Sequence, residues 1–458
     1  MTTVIKKNYT QKLVSYATEF AYKTIPNVVI KQTKMIMLDT IGAILAATSP
    51  KYDGSRIIID FVRNLGGKEE ASIIGRAFKT SCVNAALANG TMGYYCDIEP
   101  HHVKAILHAP AVLVPTVLAV GERENVAGKA LIAALILGVD IEARVSLALS
   151  PTGLYARGFH PSAVCGTIAA AVAAGNLLNL APEELTNAIG LSACQASGLL
   201  AWENDKTEMS RPFQMGVAAR NGVTAALLAQ AGFGGPEIFE GKYNIFEAFS
   251  GEKDYEELTR GLGSEFEIMN LAKKKYSCCA FVHPGLDALL QIMEQNSVTG
   301  DDIQRIIFRF PSLGARLIDN SELKSHNAQY ILAVAAFNKR VTIDDILLDA
   351  REDSKIMELS KHIEVVYDTG LDQHFPQRYD SIVKVKTKSN QIFQERINFA
   401  KGTPENPMTA EEIQEKFKTL AMSSTSEERS NEIISTIKNL EDIAYVDVLT
   451  KLLQFKPK

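Results

Sequence analysis

The sequence predicts a mainly α protein with an α+β part: a large all-helical domain and a smaller α+β lid domain inserted before the C-terminal helices. Three observations predict it. Residues 8 to about 270 read as one helical stretch after another, many of them Ala-rich. After about Glu265 the texture changes to short runs with interspersed charge, among them Ile303–Phe310 and Ser381–Thr387. Beyond Lys401-Gly-Thr-Pro-Glu-Asn-Pro-Met408 the pattern is helical again. The predicted domains are therefore 1–268 together with 405–458, and 269–404.

In the first part, Thr24 and Pro26 open a helix that runs over Val28–Ala47, because Pro suits a first helical turn. Further helices are predicted over Cys82–Gly93, Pro110–Val120, Gly128–Leu149, Pro161–Leu180, Pro182–Leu200 and Pro212–Ala231. Tyr243–Ser250 and Glu257–Gly263 read as short connections. In the second part, Glu364–Tyr367 joins the strands. Ser381–Thr387 turns through Lys388-Ser389-Asn390 into Gln391–Phe399 as a hairpin. Helices at Pro284–Gln295, Ala328–Asn338 and Thr342–Leu348 are interleaved. Thr409 with Glu412 makes a capping-box pattern for the returning helix.

Composition narrows the function. The chain has 458 residues, 48 Lys+Arg against 53 Asp+Glu and a net charge of −5. That is a globular balance, and it argues against nucleic-acid binding through global basic charge. The N-terminus has two lysines but no apolar run after them, so no secretory leader is expected. Pro161–Pro182 is uncharged, yet it is built from Ala, Gly, Ser and Thr with two Asn, so it reads as a buried helix and not a membrane span. Four of the six cysteines are scattered in Ala-rich or apolar surroundings and read as reduced thiols of a cytoplasmic protein. No nucleic-acid or membrane partner is expected.

Most standard motifs are absent. Gly121 to Gly128-Lys129 has six residues between the glycines and no Ser/Thr after the Lys, so it is not a P-loop. Gly190-Leu-Ser192-Ala-Cys194 lacks the last Gly of a nucleophile elbow. Cys278-Cys279 are adjacent and not spaced for chelation. One dense group, Cys96, Asp97, Glu99, His101, His102 and His108, could ligate a metal, serve acid–base chemistry or be a solvated loop. Its spacings match no standard zinc pattern.

A repeated pattern is more telling. His108-Ala-Pro110, His160-Pro161, Arg211-Pro212 and His283-Pro284 each put a titratable or cationic residue at the start of an apolar helix. Helix N-termini favour anions and disfavour a protonated His, while Arg can hold a carboxylate with two hydrogen bonds. X-Pro is also simply a common helix start. If the four residues converge, they form a pocket for a small polyanion. Lys273-Lys274-Lys275 and Tyr330 are further candidates, against a solvated face and a core position respectively.

With these residues the chain resembles the MmgE/PrpD family of 2-methylcitrate dehydratases, cis-aconitate decarboxylases and iminodisuccinate epimerases. The resemblance rests on Ile25-Pro26 through Gly42, Asn89 through Asp97 and His108, Gly158-Phe-His160-Pro161, and Arg211-Pro212 through Gly222. It continues over Lys274 to Asp287, Tyr330 through Ala335, and Pro404 through Lys416-Phe417. It implies a homodimer with the site between a helical domain and a lid, and no metal or organic cofactor. It implies Asp97, His108, His160, Lys274 and Tyr330 as catalytic residues; Arg211, His101 and His283 are substrate-binding candidates from the reading of the residues themselves. Arg211 stands where the decarboxylases carry Lys, and Ile98-Glu99-Pro100-His101-His102 replaces an acidic run.

The expected substrate is a small di- or tricarboxylic acid. Dehydration of a 2-methylcitrate-like hydroxy acid comes first, with epimerisation or decarboxylation as alternatives. Arg211 and Lys274 would clamp carboxylates, a His would move the proton, Asp97 would orient it, and Tyr330 would be a second acid. A non-catalytic helical binding protein and a metal-dependent hydratase are the rivals.

Overall fold

The computed structural model describes residues 8–348 and 353–456. The first seven residues, on which the expectation of no leader partly rests, lie outside the described residues. The chain is mainly α with small sheets. No helix among the described residues is long and apolar enough to cross a membrane, and all six cysteines are free thiols.

Two buried apolar clusters form. One is built by residues from Tyr9 to Leu271 together with Ile413 to Phe455; the other by Tyr276 to Val385 with Ile106. The first holds the long helices. Cys82–Tyr95 and Ser210–Gln230 cross where two glycines meet: a Cβ on Gly90 would lie 2.9 Å from the Gly216 Cα. Only glycine permits this approach, and it brings Tyr94 and Arg211 to the same place. The Ala410–Ala421 helix, capped by Thr409 and Glu412, packs back on Asn27–Ala47.

In the second part a four-stranded sheet runs in the order Ile363–Tyr367, Ile303–Phe310, Ser381–Thr387, Ile392–Ile397. The first pair is parallel and the others antiparallel. Along Ser381–Thr387 the residues Ser381, Val383, Val385 and Thr387 are buried, as its alternation requires. His283–Gln295 and Ala328–Asn338 cover the sheet's apolar side.

The first part is not wholly helical. Ala71–Ser72 pairs with Lys79–Thr80, and His101–His102 pairs with Leu271–Ala272. The second ladder matters most for position: it fixes Lys274, two residues past Ala272, beside Asp97 and Glu99. The helix expected over Pro182–Leu200 ends at Ala193. There the chain unwinds because Gly198, at φ +143°, gives its carbonyl to His160 N at 2.9 Å. A short turn, Leu200–Asn204, then carries Trp202 toward His160.

Candidate functional site

Asp97 follows the end of the Cys82–Tyr95 helix in the left-handed conformation, φ +49°. Ile106, at φ +49°, is the other positive-φ residue in the cavity wall, and a β-branched side chain makes that conformation costly. Together with Tyr94, His101, His108, Tyr155, Trp202, Cys279, His326 and Tyr379, among others, they line an enclosed cavity of ≈ 30 Å³. That is room for about one or two waters. Its walls come from both apolar clusters, so the space lies between the helical and α+β parts.

Behind the wall sits a buried ionic cluster. Lys274 Nζ donates to Asp97 Oδ1, lies 3.1 Å from the Asp97 carbonyl and 3.4 Å from Glu99 Oε1. Arg211 Nη1 is 3.5 Å from Asp97 Oδ2, and its guanidinium lies 4.4 Å above the Tyr94 ring. His108 Nδ1 is 2.6 Å from Glu99 Oε1. Burial alone would raise the Asp97 carboxyl, but Lys274 and Arg211 reverse this and hold it well below the usual range. Glu99 goes the other way: burial and the Asp97 charge, only partly offset by Lys274, push it up to about 8.

The histidines are kept neutral. Burial and Lys274 hold His101 and His108 well below their ordinary value. Burial holds His160 and His326 down to about 3. Their partners set the tautomers. Glu99 carries a proton at neutral pH and can donate to His108 Nδ1, which leaves Nε2–H for the cavity. His160 Nδ1 donates to Gln214 Oε1 at 2.9 Å; that amide is oriented because its nitrogen donates to the Leu199 carbonyl at 2.9 Å. His160 Nε2 is therefore a bare acceptor.

Several polar atoms here find no hydrogen-bond partner among the described residues. They are Arg211 Nε and Nη1, Trp202 Nε1, His101 Nδ1, Asp97 Oδ2 and Glu99 Oε2. Buried donors are seldom left unpaired, so a group of them around one cavity suits an absent acceptor-rich ligand. Ligand atoms of Asp97, Glu99 and His108 lie within 4.8 Å of one another, a spacing that could hold a metal ion. The ammonium of Lys274 already sits against two of the three and supplies a positive charge from within the chain.

Of the predicted residues, His108, His160 and Arg211 converge on the Tyr94 ring, with His108 at 4.4 Å and His160 at 6.2 Å between centroids. His160, Arg211 and Lys274 stand one layer behind the lining side chains. Only His108 and His160 precede their helices. Arg211 and His283 lie inside the first turns of Ser210–Gln230 and His283–Gln295, so all four sit at helix starts as expected.

His283 does not reach this cavity. It lines a neighbouring one of ≈ 190 Å³ with Lys104, Lys273, Arg378 and Lys401, and His101 stands between the two. Tyr330 is not brought to the cavity either. The Ala328–Asn338 helix is buried in the second cluster, and the Tyr330 hydroxyl donates to the Asp345 carbonyl at 2.7 Å. Tyr155 and Tyr379 line the cavity instead. His102, counted in the possible metal group, is spent on Glu267, 3.0 Å away.

Sequence reasoning missed Trp202, His326, Tyr155 and Tyr379. Trp202 had a signal: it is the chain's single tryptophan.

Comparison with known proteins places the chain in a family. The MmgE/PrpD N-terminal domain model matches residues 11–258, and the MmgE/PrpD C-terminal domain model matches residues 276–442. The cis-aconitate decarboxylase-like protein oryM of Aspergillus oryzae is 28% identical over 97% of this chain and 97% of its own length. A cis-aconitate decarboxylase of Aspergillus terreus is 26% identical over 98% and 96%. The mitochondrial 2-methylcitrate dehydratase of Yarrowia lipolytica is 23% identical over 83% and 78%.

Proposed function

The chain belongs to the MmgE/PrpD family, and from that premise we propose that it is a lyase for a small di- or tricarboxylic acid, decarboxylating an unsaturated, cis-aconitate-like substrate. The observation that carries this reading is a set of buried donors without a hydrogen bond, Arg211 Nε and Trp202 Nε1, beside a cavity backed by Lys274, with Arg211 Nη1 held only by its ion pair to Asp97 at 3.5 Å. With Glu99 protonated, the two cations Lys274 and Arg211 face two carboxylates, Asp97 and Glu208, so the cluster sets no net negative charge against an incoming carboxylate. Dehydration of a 2-methylcitrate-like acid, placed first from the sequence, becomes second. The two Aspergillus proteins resemble this chain at higher identity and over more of its length than the dehydratase does.

Decarboxylation takes the proton off one carboxyl group, breaks its C–C bond, leaves the electron pair in the carbon skeleton, releases CO₂ and adds one proton to carbon. Arg211 holds a remaining carboxylate, and Lys274, whose three donors go to Asp97 and Glu99, adds its positive charge behind it. The Glu99–His108 pair is the proton source: Glu99 donates to Nδ1 while Nε2–H is given to carbon. His160, a bare acceptor packed on Trp202, orients the substrate. A cavity of ≈ 30 Å³ is too small for a tricarboxylate, so the parts 1–268 with 405–458 and 269–404 draw apart for binding and close for the chemistry.

A screen with cis-aconitate, citrate, 2-methylcitrate and iminodisuccinate tests this. CO₂ release with cis-aconitate is expected. Change in enoate absorbance without CO₂ would favour dehydration, and stereochemical scrambling alone would favour epimerisation.

A further inference from the structure

Three side chains outside the expected set form a relay across the boundary between the two parts. Glu208 lies just before the Ser210–Gln230 helix, at φ +57°. Its Oε1 accepts from Ser325 N at 3.0 Å, and its Oε2 accepts from Ser325 Oγ at 2.7 Å. Arg211 Nη2 is 3.4 Å from the same Oε2. Ser325 Oγ in turn lies 2.8 Å from His326 Nδ1. A hydroxyl has one hydrogen. Ser325 gives it to the Glu208 carboxylate, so Oγ must accept from His326 Nδ1–H. That leaves His326 Nε2 as a bare lone pair.

His326 lines the same cavity as His108 and Asp97, and its ring packs on Trp202 at 5.2 Å. Ser325 is not in the wall, which leaves Nε2 as the ring nitrogen available to the cavity. His108 presents a donor to that space and His326 an acceptor. Glu208 and Trp202 come from the helical part and Ser325 and His326 from the α+β part, so closure of the two parts sets the relay.

We propose that His326 is a second proton-transfer residue of this site, the acceptor that complements His108, with Ser325 and Glu208 as positioning residues that fix its tautomer. This rests on the reading of the site as a polycarboxylate lyase. In decarboxylation the proton passes from the carboxyl O–H of the departing group to His326 Nε2. The C–C electron pair stays with carbon, CO₂ leaves, and His108 delivers a proton to carbon. One proton comes off and one goes on, with no oxidant. In dehydration His326 would take the C–H proton and His108 would give one to the hydroxyl leaving as water. Burial holds His326 neutral, as an acceptor must be.

The test joins a spectroscopic signature to kinetics. In ¹⁵N-histidine NMR of the full chain, with His326 assigned by comparison with His326→Gln, its proton is expected on Nδ1. Ser325→Ala is expected to shift it toward Nε2 and lower kcat about tenfold, with KM changed less than about threefold. His326→Gln is expected to lower kcat about 100-fold. A wild-type proton on Nε2, or His326→Gln within about twofold of wild-type kcat, would overturn the assignment. The tautomer is read on the wild-type protein, so it decides even if a variant folds poorly. A wild type inert toward all four acids would sink the proposed reaction. An active wild type matched by His326→Gln would sink this assignment alone.

Discussion

Two of the buried ionic clusters among the described residues, one around Arg144 and one around Arg211, are finished differently. Around Arg144 every strong donor is used. Nε reaches Asp140 Oδ2 at 2.9 Å, Nη1 the Arg260 carbonyl, and Nη2 the Glu265 carbonyl at 3.2 Å. Asp140 also accepts from Tyr16 and from Glu267 N, and Glu267 holds His102 and Asn270. Around Arg211 the charges are similar, but Arg211, Trp202, Asp97 and Glu99 keep unpaired atoms. A closed network fixes a fold; one with open positions beside a cavity is set for something else to complete it.

The comparison breaks most sharply on two arginines. Arg211→Met should lower kcat/KM about 10³-fold, since one preorganised donor to a reacting anion is worth that much. Its thermal stability should change less than that of Arg144→Met. Arg144→Met should cost about 3–5 kcal/mol of stability by stranding Asp140, read by denaturant unfolding, while the folded fraction keeps its kcat. Equal kinetic loss in both variants would erase the distinction.

A smaller effect is expected at Lys416, whose Nζ bridges Asp39 Oδ1 at 2.6 Å and the Ile98 carbonyl at 2.7 Å. It pins the backbone between Asp97 and Glu99 from the returning C-terminal helix. Lys416→Met should lower kcat about tenfold with little change in KM, because a misplaced group weakens the transition state more than the ground state.

The smallest effects are in pH, and they have opposite signs in the two clusters. Glu99, raised to about 8, is protonated in the folded protein at neutrality. As pH rises through about 8 it gains a negative charge beside Asp97. Affinity for the unreactive tricarballylate should then fall by up to about tenfold per pH unit, and Glu99→Gln should abolish this. Glu267 is lowered to about 2, against the burial that would raise it, by His102 and Asn270. Its contribution to stability is present above the ordinary carboxyl value and is lost as pH falls toward about 2, which acid unfolding would record.

Elements with local signals were legible in the sequence. Gly128–Leu149, Ile303–Phe310, Ser381–Thr387 and Ala328–Asn338 have the predicted bounds, since caps, turns and periodicity are written in neighbouring residues. The early end at Ala193 was not legible, because it depends on Gly198 meeting His160 across the fold. The site divides in the same way. Helix starts pointed to His108, His160 and Arg211, and resemblance pointed to Asp97 and Lys274. Ser325, His326 and Glu208 have no motif of their own; their meaning comes from contacts more than a hundred residues apart along the chain. Tyr330 was chosen from its sequence neighbours, and its hydroxyl lies against Asp345 instead.

We propose that the open donors around Arg211 form a carboxylate site. Trp202, the single tryptophan and one of those donors, is its reporter. The most direct measurement is a titration of wild type and Arg211→Met with tricarballylate, followed by Trp202 emission and calorimetry. The account predicts saturable binding with an emission change in wild type and loss of at least about 100-fold in affinity in Arg211→Met. Binding that ignores the substitution, or no binding to the wild type, would contradict it.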